Sequence, residues 1–97
     1  MEHVRVATYR LEDGVTFQEI ADVAKGGMLD SFRLEPGFLR YEVADIGDGK
    51  LISISLWESR GSAERGVALA REWVAENLAA QIELLSNDIC DVAFTAS

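Results

Sequence analysis

Ninety-seven residues are the usual size of one domain, and a chain of this length buries roughly 65% of its unfolded surface, enough for a core without metal or disulfide staples. Hydrophobic residues make up 48% of the chain and charged residues 27%, which excludes a disordered polypeptide. Seventeen acidic against nine basic side chains give a net charge of −8, which repels nucleic-acid phosphates and anionic lipid, so neither nucleic acid nor membrane is an expected partner.

Val4 and Val6 alternate with His3, Arg5 and Ala7 up to Tyr9-Arg10, a period-two pattern that predicts a first strand. Asp13-Gly14 breaks it. Thr16-Phe17-Gln18-Glu19 has the spacing of a capping box, in which the Thr hydroxyl and the Glu carboxylate satisfy free amides at a helix start. Phe17, Ile20, Ala24, Met28 and Phe32 then share one side of a helix, until Pro36 pushes Glu35 out of helical geometry.

Gly37 to Ile46 and Lys50 to Glu58 read as the second and third strands. Gly47-Asp48-Gly49 joins them as a two-residue hairpin in one of two registers, and Asp48-Gly49 is a strong type I′ signal. In either register even positions of strand two stand beside odd positions of strand three. Ser59 or Ser62 caps a second helix, with Ala63, Val67, Ala70, Val74, Leu78 and Ile82 on one stripe, ending near Ser86-Asn87. Ile89 to Thr95 is the predicted fourth strand.

Two β-α-β units with right-handed crossovers give an α+β, ferredoxin-like domain over residues 1–97. Its order is β-α-β-β-α-β, with a four-stranded antiparallel sheet of order 4-1-3-2 and both helices on one face. Val4, Val6, Leu39, Tyr41, Val43, Ile52, Ile54, Leu56, Cys90, Val92 and Phe94 supply an apolar set expected to face the helices. The other face then carries His3, Arg5, Tyr9, Phe38, Arg40, Glu42, Ser53, Ser55, Trp57 and Asp91, too aromatic for water and too polar for a dry interface. It is expected to be covered by a second copy that encloses a lined cavity. Arg40 is expected close enough to Trp57 to stack on it.

Cys90 forms no internal disulfide and reads as an inert core thiol, pointing away from His3. Asp45 and Asp48 lack the distal Glu of a calcium loop and read as a plain turn, so no metal is expected. Gly26-Gly27 weakens the first helix or allows a close approach, and Trp73 packs on the sheet or reaches the cavity mouth. The N-terminus shows no basic and apolar leader pattern and no apolar run approaches the ~20 residues that cross a bilayer, so the expectation is a soluble, cytoplasmic protein.

Glu35-Pro36-Gly37-Phe38-Leu39-Arg40-Tyr41-Glu42-Val43 and Leu56-Trp57-Glu58-Ser59 resemble the recurrent pattern of the antibiotic-biosynthesis-monooxygenase type of dimeric α+β barrel, and the likeness spans nearly the whole chain. The resemblance implies two sheets packed face to face in a homodimer, and a cofactor-independent monooxygenase that deprotonates a quinol- or anthrone-like aromatic and lets its anion react with oxygen. It implies a site on the inter-sheet face, with Trp57, Arg40, Tyr9 and Glu42 as catalytic candidates and Phe38, Arg5, Ser53, Ser55 and Trp57 as substrate contacts. His3 is a further candidate base. Many oxygenase-like members have a His where this chain has Gly66, and the haem-degrading branch needs side chains that Gly66 and Glu76 do not supply, so haem degradation is not expected. A non-catalytic dimeric ligand-binding or assembly module, and an isomerase or lactone-forming enzyme, fit the same scaffold.

Overall fold

Alternation at the start of the chain produces β1 (His3–Leu11) in the computed structural model, which describes residues 1–97. The Thr16 hydroxyl accepts from the Glu19 N–H at 3.2 Å and the Glu19 carboxylate accepts from the Thr16 N–H at 3.3 Å, so the capping box opens α1 (Phe17–Gly26). The helical stripe does not run unbroken to Pro36. Gly27 leaves helical geometry, with φ −128° and ψ −63°, and α2 (Met28–Arg33) follows. The Trp73 indole fills the space a side chain at position 27 would need, its Cζ2 lying 2.7 Å from an ideal Cβ. The break thus brings a close approach within the chain itself.

Strands β2 (Phe38–Gly47) and β3 (Lys50–Trp57) form the expected hairpin, with φ of 54° at Asp48 and 72° at Gly49 as a type I′ turn requires. Helix α3 (Arg60–Asn77) starts at Ser59, whose Oγ accepts from the Ser62 N–H at 3.1 Å. Strand β4 (Ile82–Asp91) closes an antiparallel sheet of order β2-β3-β1-β4, the expected 4-1-3-2 read from the opposite edge.

Two boundaries differ from expectation. The second helix stops at Asn77 and β4 begins at Ile82 instead of Ile89. Leu78 and Ile82 keep a four-residue spacing through a turn, with the Ile82 N–H donating to the Leu78 carbonyl at 3.1 Å, and both remain buried. Helical periodicity therefore continues past the helix, while pairing along β1 as far as Leu11 against Ile82 recruits the segment into the sheet.

The larger correction concerns the two faces of the sheet. At the turn Gly47 stands opposite Lys50, but the ladder shifts at Ile46, so Asp45 faces Leu51 and odd positions of β2 meet odd positions of β3. A second shift at Leu39 puts Phe38 opposite Trp57 and Arg40 opposite Leu56. The helix-covered face carries His3, Arg5, Ala7 and Tyr9 from β1 and Leu51, Ser53, Ser55 and Trp57 from β3, all buried, with Tyr41 and Val43 of β2 on the same side. The uncovered face carries Val4, Val6, Ile52, Ile54 and Leu56 with Arg40, Glu42 and Cys90. Only the placement of Tyr41 and Val43 under the helices agrees with the expected apolar set. Cys90 is exposed, and Phe94 lies beyond β4 at 83% exposure, so neither belongs to the core. An aliphatic set did not identify the helix side because both faces are composed for burial.

Beneath the helices the core forms two clusters. Ala7, Tyr9, Ile20, Leu51, Leu78 and Ile82 pack at one end, and Ala24, Met28, Phe32, Trp57, Ala63 and Ala70 at the other. Burial of a side chain such as Phe32 contributes about 1.5–3 kcal/mol. Trp73 and Val43 touch both clusters, and the polar middle of the sheet lies between them.

Candidate functional site

Arg5 sits in that polar middle. β1 pairs on both sides, so its third residue is held under α3 with 3% of its surface exposed. Its Nε donates to Asn87 Oδ1 at 2.6 Å and its Nη2 to the Tyr9 hydroxyl at 3.2 Å. Both partners are neutral. None of the six ion pairs in the protein includes Arg5, although the chain holds 17 acidic residues. A buried charge is normally paired, because desolvation costs several kcal/mol. Nη1 makes no hydrogen bond, yet no unpartnered side-chain nitrogen or oxygen is sealed inside the protein, so Nη1 opens onto free space.

Two cavities meet at this guanidinium. The first, about 20 Å³, lies between the sheet and the helices and is lined by Arg5, Tyr9, Tyr41, Ser53, Trp73 and an apolar wall that includes Met28 and Leu78. That is room for about one water. The second, about 180 Å³, lies between α3 and β4 and is lined by Arg5, Tyr9 and Asn87, by Arg71, and by Val67, Val74, Ala75, Ala79 and Leu84. No carboxylate and no imidazole lines either one. The cavities share Arg5, Tyr9 and Val74 as their partition.

Burial pushes the Tyr41 phenol above its ordinary 10.0, opposed by the Ser53 hydroxyl and the Arg5 charge. Burial is the larger effect, so the site as a whole disfavours a tyrosinate, and the Arg5 charge offsets part of that cost, as it does for a phenolate brought into the cavity. The site therefore offers an unneutralised cation, two phenolic hydroxyls and a serine in an otherwise apolar space.

Tyr9, Arg5, Ser53, Ser55, Phe38 and Trp57, expected on a face between two sheets, lie together under the helices. Arg5, Tyr9 and Ser53 line the cavities. Trp57 does not: it is fully buried, with Phe32 edge-on at 5.2 Å, Phe38 at 5.4 Å, and its Nε1 donating to Ser55 Oγ at 2.8 Å. Its indole also occupies the volume a side chain at Gly66 would need. Arg40 and Glu42 lie on the uncovered face, exposed and paired with each other at 3.1 Å, so the expected Arg40–Trp57 stack is absent. A bulge at Ile46, invisible to a parity count, accounts for that separation.

His3 is buried opposite Trp57, with Nε2 2.9 Å from Asp91 Oδ1 and Nδ1 3.0 Å from the Met1 carbonyl oxygen, and it lines neither cavity. No group of three or more His, Cys, Asp or Glu side chains gathers in a metal-binding arrangement. Asp45 accepts the Gly47 N–H at 2.9 Å, as in a plain turn. Sequence reasoning missed Asn87 and Arg71 because it placed the first at a helix end and gave the second no partner to be compared with. Tyr41 was legible only as a core residue.

No family model matches the chain. No curated protein matches it. Solved structures do, and with the topology above they define a ferredoxin-like α+β domain of the kind found in antibiotic biosynthesis monooxygenases. SnoaB, a cofactor-independent oxygenase from Streptomyces nogalater, is 16% identical, with 97% of this chain and 95% of that chain covered and a TM-score of 0.74. A protein assigned to the antibiotic biosynthesis monooxygenases from Nitrosomonas europaea is 14% identical, with 99% and 94% covered and a TM-score of 0.75. A similar protein from Chloroflexus aurantiacus is 17% identical, with 99% and 98% covered and a TM-score of 0.67. At these identities the likeness establishes the fold.

Proposed function

We propose that the chain is a small cofactor-independent monooxygenase acting on a quinol- or anthrone-like aromatic metabolite, bound between the sheet and the helices. The observation that carries this reading is Arg5, a buried guanidinium with no counter-ion, facing cavities that contain no acid. A cation kept without a partner at such cost suits a ligand that brings the negative charge.

The chemistry follows from the environment. At about 4 Å and an effective dielectric of about 20, one such cation stabilises a phenolate by about 4 kcal/mol relative to the same site without it, which offsets the cost of burying the anion. With no carboxylate or imidazole on the lining, the cation acidifies the substrate and water at the cavity mouth takes the proton. The resulting anion gives electrons to dioxygen. A carbon–oxygen bond forms, the peroxide takes up a proton to give a hydroperoxide, and its O–O bond breaks as the outer oxygen leaves in water with the proton from carbon, so the carbon-bound oxygen becomes a carbonyl and a methylene plus dioxygen becomes a ketone plus water. The apolar wall excludes competing water. Because the closed cavities are smaller than the ~300 Å³ usual for a ligand site, the ring enters by displacing side chains, with Trp73 at the α1–α2 break the movable wall.

The catalytic role of Arg5 and Tyr9, and contact by Ser53, belong to this reading. Trp57, Phe38 and Ser55 then shape the scaffold from behind, and Arg40 and Glu42 take no part in the chemistry. The protein acts as a homodimer in which Val4, Val6, Ile52, Ile54 and Leu56 of one protomer pack on those of its partner, a reading supported by an aliphatic sheet face that no helix covers.

Oxygen uptake tests the function. Against a panel of quinols and anthrones the wild type is expected to consume oxygen, and Arg5→Gln to lose about 10²–10³ of the rate, the usual effect of removing a donor to a developing oxyanion. Uptake no greater than that of Arg5→Gln across the panel would end this reading.

A further inference from the structure

Resting on the phenolate site proposed above, we infer that Asn87 is a positioning residue of that site: its amide oxygen holds Arg5 in place without cancelling its charge. A β-bulge at Leu85 puts it there. From Leu11 opposite Ile82 to Tyr9 opposite Leu84, β1 and β4 run in one register. From Thr8 opposite Ser86 onward they run in another, with Leu85 the extra residue. Had the first register continued, Asp88 would stand directly opposite Arg5, on the same side of the sheet and within reach of its guanidinium. The bulge instead puts Ile89 opposite Arg5 and turns Asp88 to an exposed position opposite Val6. Asn87 takes the diagonal place beside Arg5, half-buried, and accepts the Arg5 Nε–H at 2.6 Å.

The other two acids of β4 are engaged elsewhere. Glu83 pairs with Arg10 at 2.7 Å, and Asp91 lies 2.9 Å from His3 Nε2. Arg10, Arg40, Arg60 and Arg65 each pair with a glutamate, so a carboxylate is the usual partner of an arginine in this chain. At Arg5 a carboxamide takes that place. It supplies the hydrogen bond but no net charge, and so leaves the whole cation to an anion that enters the cavity. With Nε on Asn87 and Nη2 on the Tyr9 hydroxyl at 3.2 Å, the guanidinium plane is fixed and Nη1 is left for the open space. A carboxylate at position 87 would hold the plane equally well and neutralise the site. Asn87→Asp therefore separates the two effects, since it keeps the brace and removes the charge.

The test titrates a phenolic anthrone bound under argon to the wild type, Arg5→Gln, Asn87→Asp and Asp88→Asn, read from its enolate absorbance. An aspartate beside a guanidinium is held ionised. Asn87→Asp is expected to move the ionisation of the bound probe at least about one pH unit above its wild-type value, toward that of Arg5→Gln. Asp88→Asn, which changes a screened charge on the far side of the same strand, is expected to move it by less than about 0.3 unit. The Arg5 Nε–H resonance, identified by its loss in Arg5→Gln, is expected to resist exchange in the wild type and in Asn87→Asp and to lose that protection in Asn87→Ala. Equal probe values in the wild type and Asn87→Asp, with Arg5→Gln displaced, remove the role of Asn87 and leave the phenolate site standing. Equal values in the wild type and Arg5→Gln remove the phenolate site and this role with it. A shift in Asp88→Asn as large as in Asn87→Asp, or an Nε–H still protected in Asn87→Ala, also overturns the inference. Displacement in Asn87→Asp by a protein that takes up no oxygen keeps the role of Asn87 and removes the monooxygenase.

Discussion

The indole of Trp57 lies on the backbone of Gly66, so that a methyl group at position 66 would overlap the ring at Cζ2. The contact fixes α3 against the end of β3 and closes the cluster that contains Phe32 and Ala63. Gly66→Ala is expected to destabilise the protein by about 1–3 kcal/mol, the usual cost of overpacking a filled core, read from urea unfolding. An unchanged midpoint would mean that α3 stands off from Trp57.

A raised phenol pKa gives the fold a specific weakness at high pH. Tyr41 holds its proton more tightly when folded than at its ordinary 10.0, so its contribution is fully present below about pH 10 and is lost as pH climbs toward the folded value. Wild-type stability is expected to fall more steeply above pH 10 than that of Tyr41→Phe. Parallel curves would show that burial of the phenol does not persist in solution.

The uncovered sheet face predicts assembly. A solution mass near twice the 10.7 kDa of one chain is expected at micromolar concentration, and Ile54→Asp, in the middle of the aliphatic set, should return it to one. A wild-type monomer would remove the paired-sheet arrangement.

Arg5 carries a stability cost that its proposed role explains. Replacing buried ionic groups by apolar side chains of similar volume is often neutral or stabilising by about 1–4 kcal/mol, so Arg5→Met is expected to raise the urea midpoint while abolishing oxygen uptake. A lowered midpoint would identify the bonds to Asn87 and Tyr9 as a structural brace.

The order of elements was legible because each is announced locally, by Thr16 and Glu19 at the first helix, Asp48-Gly49 at the hairpin and Ser59 at the second helix. Which face of the sheet meets the helices was not, since Val6 and Ile54 look as core-like as Leu51 and Ala7. Nor was the register, because one extra residue at Ile46 inverts the side chains of β2 from Asp45 back to Arg40, before a second shift at Leu39 returns Phe38 to the side of Trp57. That inversion is why Arg40, placed beside Trp57 by parity, lies on the opposite face. Arg5, Tyr9 and Ser53 were legible as a polar set sharing one face, whereas the lack of any acid beside Arg5 emerges only when all seventeen have been located.

An anion held at Arg5 is tested most directly by titrating a phenolic anthrone, bound under argon, through its enolate absorbance. The probe bound to the wild type should ionise about three pH units below the same probe bound to Arg5→Met. A probe that binds both proteins and titrates at the same pH in each would contradict the assignment of Arg5 as the cation of the site.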